Sequence, residues 1–129
     1  MKLLDTTFLI DFLNKEEGAF KKAKEISNSS LFTTEVNVFE VLVGVYKKKK
    51  FEEEKVFLDF LNTLEVLPLR GKATITAAKV FSESEGEGQK IGIADILTAG
   101  IALANSVTTI VTRDKEHFSR IKGIKVEGY

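Results

Sequence analysis

Asp5, Glu40, Asp95 and Asp114 are carboxylates set far apart in the chain, each beside apolar sequence where a solvated acid is out of place. Asp5 closes the run Lys2-Leu3-Leu4, and Glu40 lies inside Val36-Asn37-Val38-Phe39-Glu40-Val41-Leu42-Val43. Asp95 is the one charge between Ile91 and Ala104, and Asp114 follows Thr108-Thr109-Ile110-Val111-Thr112 by two residues. An ionised carboxylate is costly to bury unless a cation or hydrogen-bond donors meet it. Four converging acids would offer an all-oxygen site for a hard dication. With no cysteine and a single histidine, the chain does not suit zinc; carboxylate oxygens suit Mg²⁺ or Mn²⁺. Such ions activate water and neutralise charge on phosphoryl oxygens, so phosphodiester hydrolysis is the chemistry expected.

Each aspartate also has a simpler reading. Asp5 can cap a helix starting at Thr6, and Asp114 can cap the turn holding Lys115 and Glu116. Asp95 suits the first turn of a helix, where the dipole favours an acid. Glu40 sits in mid-helix with Val36 and Val43 on its face, so no cap explains it and the alternative is a buried ion pair. Thr6 and Thr112 flank two of the acids and are accessory candidates for orienting them. Arg113, Lys115 and Arg120 crowd around Asp114 with His117 and Lys122, and are candidate contacts to a phosphate backbone. His117 is read as packing beside Phe118, and Lys47–Lys50 as the solvated end of a helix. Asp11, Glu16, Glu17, Glu35 and Glu52–Glu54 are read as solvated or first-turn acids. No phosphate-binding glycine loop, dinucleotide glycine motif or Ser-His-Asp set is present.

Short β-like runs alternate with longer helical patterns, which predicts an α/β domain with a mainly parallel sheet. The strands expected are Lys2–Asp5, Leu31–Thr33, Glu65–Leu69, Thr108–Thr112 and Ile124–Glu127. The helices expected are Thr6–Asn14, Ala19–Ile26, one from Thr33 or Thr34 to Tyr46, Phe51–Leu64, Ala73–Phe81 and Ile93–Ala104. Glu83–Gly88 reads as a polar loop or a frayed helix end. In open α/β sheets, ligands bind beyond the carboxyl ends of the strands, where Asp5 and Asp114 both fall.

A chain of 129 residues without a compositional break is expected to form a single domain, residues 1–129. The formal net charge is zero, which argues against a strongly basic nucleic-acid binder but leaves room for a local basic patch. The absence of cysteine fits a reducing cytoplasm. No long apolar segment with a cleavage site follows Met1, and no stretch reaches the ~20 apolar residues of a membrane helix, so neither secretion nor a membrane partner is expected.

Together, four stretches resemble the PIN-domain family, above all its VapC-type toxins of toxin–antitoxin pairs. They are Leu4-Asp5-Thr6-Thr7-Phe8-Leu9-Ile10-Asp11, Glu40-Val41-Leu42-Val43-Gly44, Ile93 to Ala102, and Ile110-Val111-Thr112-Arg113-Asp114-Lys115-Glu116-His117-Phe118. Ile121–Val126 resembles the family's closing strand, so the likeness spans essentially the whole chain. It implies a three-layer α/β/α domain with about five short strands. It implies a Mg²⁺- or Mn²⁺-dependent endoribonuclease with Asp5, Glu40, Asp95 and Asp114 around the metal, leaving 5′-phosphate and 3′-hydroxyl products. It also implies a homodimer and an antitoxin whose tail covers the site; the surfaces of Phe39, Val43, Tyr46, Phe57 and Phe60 are candidates for such contacts. Thr7 stands where the family often has Asn or Ser, and Asp114 keeps an acid where many relatives have Asn.

Two rivals remain at this point. One is a catalytically silent PIN module that only binds a partner. The other is a receiver-like phospho-acceptor domain, which would need an aspartate after the third strand, where this chain reads Pro68-Leu69-Arg70-Gly71.

Overall fold

The computed structural model describes residues 1–88 and 90–129. Its elements run β1 (Lys2–Leu4), α1 (Thr6–Leu13), α2 (Glu17–Glu25), β2 (Leu31–Thr34), α3 (Glu35–Lys47), α4 (Phe51–Leu61) and β3 (Glu65–Leu67). They continue with α5 (Lys72–Gly86), α6 (Ile93–Ala104), β4 (Thr109–Val111), α7 (Lys115–Ser119) and β5 (Lys125–Glu127). The strands form one sheet in the order β3-β2-β1-β4-β5, with every pairing parallel. The α/β class and the parallel sheet expected from the alternation are those of the structure.

Because successive strand residues point to opposite faces, each strand supplies both sides of the sheet. Leu3 and Ile110 face one side, where they pack with Ala99, Ile101, Ala102 and Phe118. Leu4 and Val111 face the other, against Phe8, Leu9, Val41, Val45 and Phe57. The sheet is therefore covered by α1–α4 on one face and by α5–α7 on the other, giving three layers.

Strand order decides where a site can form. From β1 the chain moves outward to β2 and β3, then returns to place β4 and β5 on the other side of β1. The reversal between β1 and β4 opens a crevice at their carboxyl ends. Asp5 lies just beyond β1, and Thr112, Arg113 and Asp114 lie just beyond β4.

Three local expectations change. α5 runs past the expected Phe81 to Gly86, so of the two readings of Glu83–Gly88 the helix end holds for Glu83–Gly86, and Ser84 is buried against the fold. Lys115–Ser119 forms a short helix rather than a turn. Phe57 is wholly buried and so belongs to the core instead of a contact surface, whereas Phe39 and Tyr46 on α3 are 67% and 49% exposed.

Candidate active site at the carboxyl edge of the sheet

Asp5 is the N-cap of α1, and its Oδ1 accepts from the Phe8 N–H at 3.0 Å, so the capping reading holds. Capping does not use up the side chain. Thr7 donates to Oδ1 at 2.7 Å and Thr112 donates to Oδ2 at 2.6 Å. The residue is only 3% exposed. Burial pushes its carboxyl up to about 6 from the ordinary 3.8, although the bonds from Thr112, Phe8 and Thr7 hold it down. The neighbouring Asp95 charge raises it further.

Glu40 projects from the middle of α3, half-buried, where Thr6 donates to its Oε1 at 2.5 Å. It makes no ion pair with Lys or Arg among the described residues, which removes the structural alternative for it. Thr6 is itself braced. Asn37 Nδ2 donates to Thr6 Oγ1 at 3.0 Å and lies 3.2 Å from Thr98 Oγ1, while Thr34 donates to Asn37 Oδ1 at 2.7 Å. Asn37 is 2% exposed, and no polar side-chain atom there is left unsatisfied.

Asp95 stands in the first turn of α6, an end without a side-chain cap. Its carboxyl is raised chiefly by burial and further by the charges of Glu40 and Asp114, against the pull of His117. Asp95 is therefore within electrostatic reach of all three other acids. Asp114 precedes α7 without capping it; its N–H donates to Thr112 Oγ1 at 3.0 Å. One buried threonine thus ties the ends of β1 and β4 together.

The acids nevertheless do not close on one point. Among the described residues, no three acidic or histidine side chains are grouped closely enough to hold one ion between them as they lie. Both oxygens of Asp5 are engaged by Thr7, Phe8 and Thr112, and Oε1 of Glu40 by Thr6. The donor set is all oxygen, the charge of Asp95 raises Asp5 while those of Glu40 and Asp114 raise Asp95, and no Lys or Arg among the described residues is ion-paired with any of the four. Such chemistry fits a hard dication that keeps several of its waters.

Two side chains behave differently from their sequence reading. His117 is exposed rather than packed beside Phe118, and its Nδ1 lies 3.1 Å from Asp95 Oδ2. Asp11 is no solvated acid: it is 6% exposed, accepting from Arg113 Nη1 at 3.0 Å and from the Tyr129 hydroxyl at 2.5 Å. Tyr129 sets its ring edge-on to Phe8, at 5.3 Å between centroids. Arg113 N donates to Thr7 Oγ1 at 3.0 Å, so this outer layer leads back to Asp5.

Sequence reasoning gave no role to Asn37, Thr98, Asp11 or Tyr129. For Asn37 and Thr98 a signal was present. Each lies three residues from a site acid within an apolar helical stretch, which puts it on that acid's face.

Thr112→Val tests the link between strands, because it keeps the volume and removes only the hydroxyl. We expect a loss of about 1–3 kcal/mol in urea unfolding, the cost of unpaired buried partners. An unchanged midpoint would show that the hydroxyl contributes nothing to the crevice.

Comparison with known proteins places this geometry. Residues 2–124 match the family profile described as the PIN domain. Ribonuclease VapC2 of Rickettsia felis is 30% identical, with 98% of this chain and 96% of that protein aligned. The tRNA(fMet)-specific endonuclease VapC of Shigella flexneri is 21% identical over 98% of this chain and 96% of that protein. Among solved structures, VapBC2 from Rickettsia felis bound to a promoter DNA fragment superposes with a TM-score of 0.87 and 28% identity, covering 99% of this chain and 98% of that one. DNA-bound VapBC from Salmonella typhimurium gives a TM-score of 0.87 at 26% identity, covering 98% and 96%.

Proposed function

The chain belongs to the PIN domain family, and we propose that it is the ribonuclease toxin of a toxin–antitoxin pair, acting as a single cytoplasmic domain. The Rickettsia felis relative is named a ribonuclease, and the solved relatives are VapBC proteins bound to DNA, in keeping with the VapC-type resemblance of the sequence. In this reading the protein is an endoribonuclease that hydrolyses RNA phosphodiester bonds with Mg²⁺ or Mn²⁺ held by Asp5, Glu40, Asp95 and Asp114. The observation that carries it is that Asp95, in the first turn of α6, interacts electrostatically with the three other carboxylates.

The bound ion supplies charge for the phosphoryl oxygens and a lowered pKa for water. The chain supplies orientation and proton transfer. Thr112, Thr7 and Phe8 fix Asp5, and the Thr34-Asn37-Thr6 chain fixes Glu40, so neither must be ordered when substrate arrives. Asp95 engages His117 through Oδ2 and has no partner for Oδ1 among the described residues, leaving that oxygen to take a proton from the attacking water. Burial raises the basicity that this requires. Single-stranded RNA is the substrate form, since its backbone can reach a recessed acidic site.

An antitoxin is the expected protein partner, with a basic side chain of its tail answering the acids. Phe39 and Tyr46 provide exposed apolar surface for a homodimer. No described helix is long and apolar enough to cross a membrane.

Purified protein should cut single-stranded RNA in Mg²⁺ or Mn²⁺ and stop in EDTA, and Glu40→Gln should reduce the rate by about 10²-fold or more. Equal cleavage in EDTA, or by the Gln variant, would exclude the mechanism. Retention of antitoxin binding without cleavage of any RNA would instead identify a silent module.

A further inference from the structure

Beside the acids lies a cavity of about 290 Å³ whose wall is formed by Lys90, Gly92, Asp95, Glu116, His117 and Arg120. It shares Asp95 with the site, and His117, whose Nδ1 lies 3.1 Å from Asp95 Oδ2, also lines it. Lys90 and Arg120 are exposed and make no ion pair among the described residues.

The other two basic residues singled out in the sequence are committed elsewhere. Arg113 is paired with Asp11. Lys115 lies across Gly128, so closely that a Cβ at 128 would meet its Cε at 2.0 Å. Lys90 and Arg120 are thus the cations that line a cavity with Asp95 and make no ion pair among the described residues.

We propose that this cavity is a phosphate subsite, in which Lys90 and Arg120 hold the backbone phosphate next to the bond being cut. The inference rests on the nuclease reading and adds to it the register of the bound strand. An acidic site repels RNA, so binding needs positive charge close by but outside the cluster. A cavity that Asp95 lines together with Lys90 and Arg120 supplies it at a neighbouring position along the strand. Arg120 offers a planar fork to a phosphate and Lys90 a point charge. Glu116, on the same wall, opposes both and limits affinity.

The probe is a short fluorescein-labelled single-stranded RNA, titrated in Mg²⁺ against the full-length Asp5→Asn protein so that binding is read without cleavage. Raising salt from about 50 to 200 mM gives the electrostatic slope. Lys90→Ala combined with Arg120→Ala should weaken binding about 10-fold and flatten the slope by about 1.4, as expected for two lost contacts to a single strand. Glu116→Gln should shift affinity the other way, tightening it about threefold. Both changes are at exposed positions, and circular dichroism verifies that the fold is retained.

Unchanged affinity and slope in the double variant, or weaker binding by Glu116→Gln, overturns the subsite. So does an Asp5→Asn protein that binds no RNA. The two readings fail separately: wild type that cuts no RNA in Mn²⁺ sinks the nuclease, whereas wild-type cleavage with indifferent cavity variants sinks only the subsite.

Discussion

Asp5→Asn is expected to abolish RNA cleavage and, in metal-free protein at pH 7, to raise stability by up to about 3 kcal/mol. The two effects have one cause. Burial lifts the Asp5 carboxyl to about 6 from 3.8, because a charged group there has lost most of its water. A carboxyl whose folded pKa exceeds its unfolded value binds a proton on folding between the two. Its cost to stability is therefore absent below about pH 4, grows as pH rises, and is complete above about pH 6. Asparagine carries no such cost and can still cap α1 by accepting from Phe8. Thr112, which donates to Oδ2, must turn to accept from the amide, so part of the gain is lost.

Urea unfolding of wild type and variant across this pH range should give midpoints that agree near pH 4 and diverge towards pH 7. Added Mg²⁺ should stabilise the wild type at pH 7 and leave the variant unmoved, since only a ligand bound by the folded state shifts the equilibrium. A variant less stable than wild type at pH 7 would show that the crevice does not penalise charge at Asp5.

Gly100→Ala is expected to destabilise the fold by about 3 kcal/mol or more. Exchanging glycine for alanine within a helix ordinarily gains up to about 1 kcal/mol. Here the added methyl would stand 2.4 Å from Ala77 Cα and 2.7 Å from Ala77 N. These are backbone atoms of α5, which cannot swing aside as a side chain does, so α5 and α6 must separate. Steric cost then outweighs helix propensity.

Separation would also move Asp95, which α6 carries. Activity should thus fall with stability, even below the new melting temperature. Adding Ala77→Gly removes the Cβ contact at 2.5 Å but leaves those to Cα and N, so rescue should be partial. Unchanged stability of Gly100→Ala in thermal melts would mean that the helices do not pack as tightly as described.

Glu40 shows how much the sequence could carry. An acid amid Val36, Val41 and Val43 has no local reason for its place, so the sequence alone identifies it as an outlier. The apolar runs around Leu3–Leu4 and Ile110–Val111 likewise announce buried strands, because strands covered on both faces need apolar residues in succession. Such signals are local and survive without coordinates.

Asp11 marks where local reasoning stops. Its place in α1 suits a solvated acid, yet it is buried by Arg113 and Tyr129, more than a hundred residues along the chain. His117 is a similar case, facing Asp95 rather than its neighbour Phe118. Neither partnership leaves a trace in spacing, since both depend on how β4, α6 and α7 are arranged in space.

Legible in the chain alone were the alternation of strand and helix and the acids out of keeping with their surroundings. Those follow from side-chain polarity and short-range periodicity. That β1 and β4 are neighbours, that Thr112 spans their ends, and that Lys90 and Arg120 share a wall with Asp95 emerges in three dimensions alone. Strand order and helix packing bring together residues whose separation along the chain carries no information about their distance.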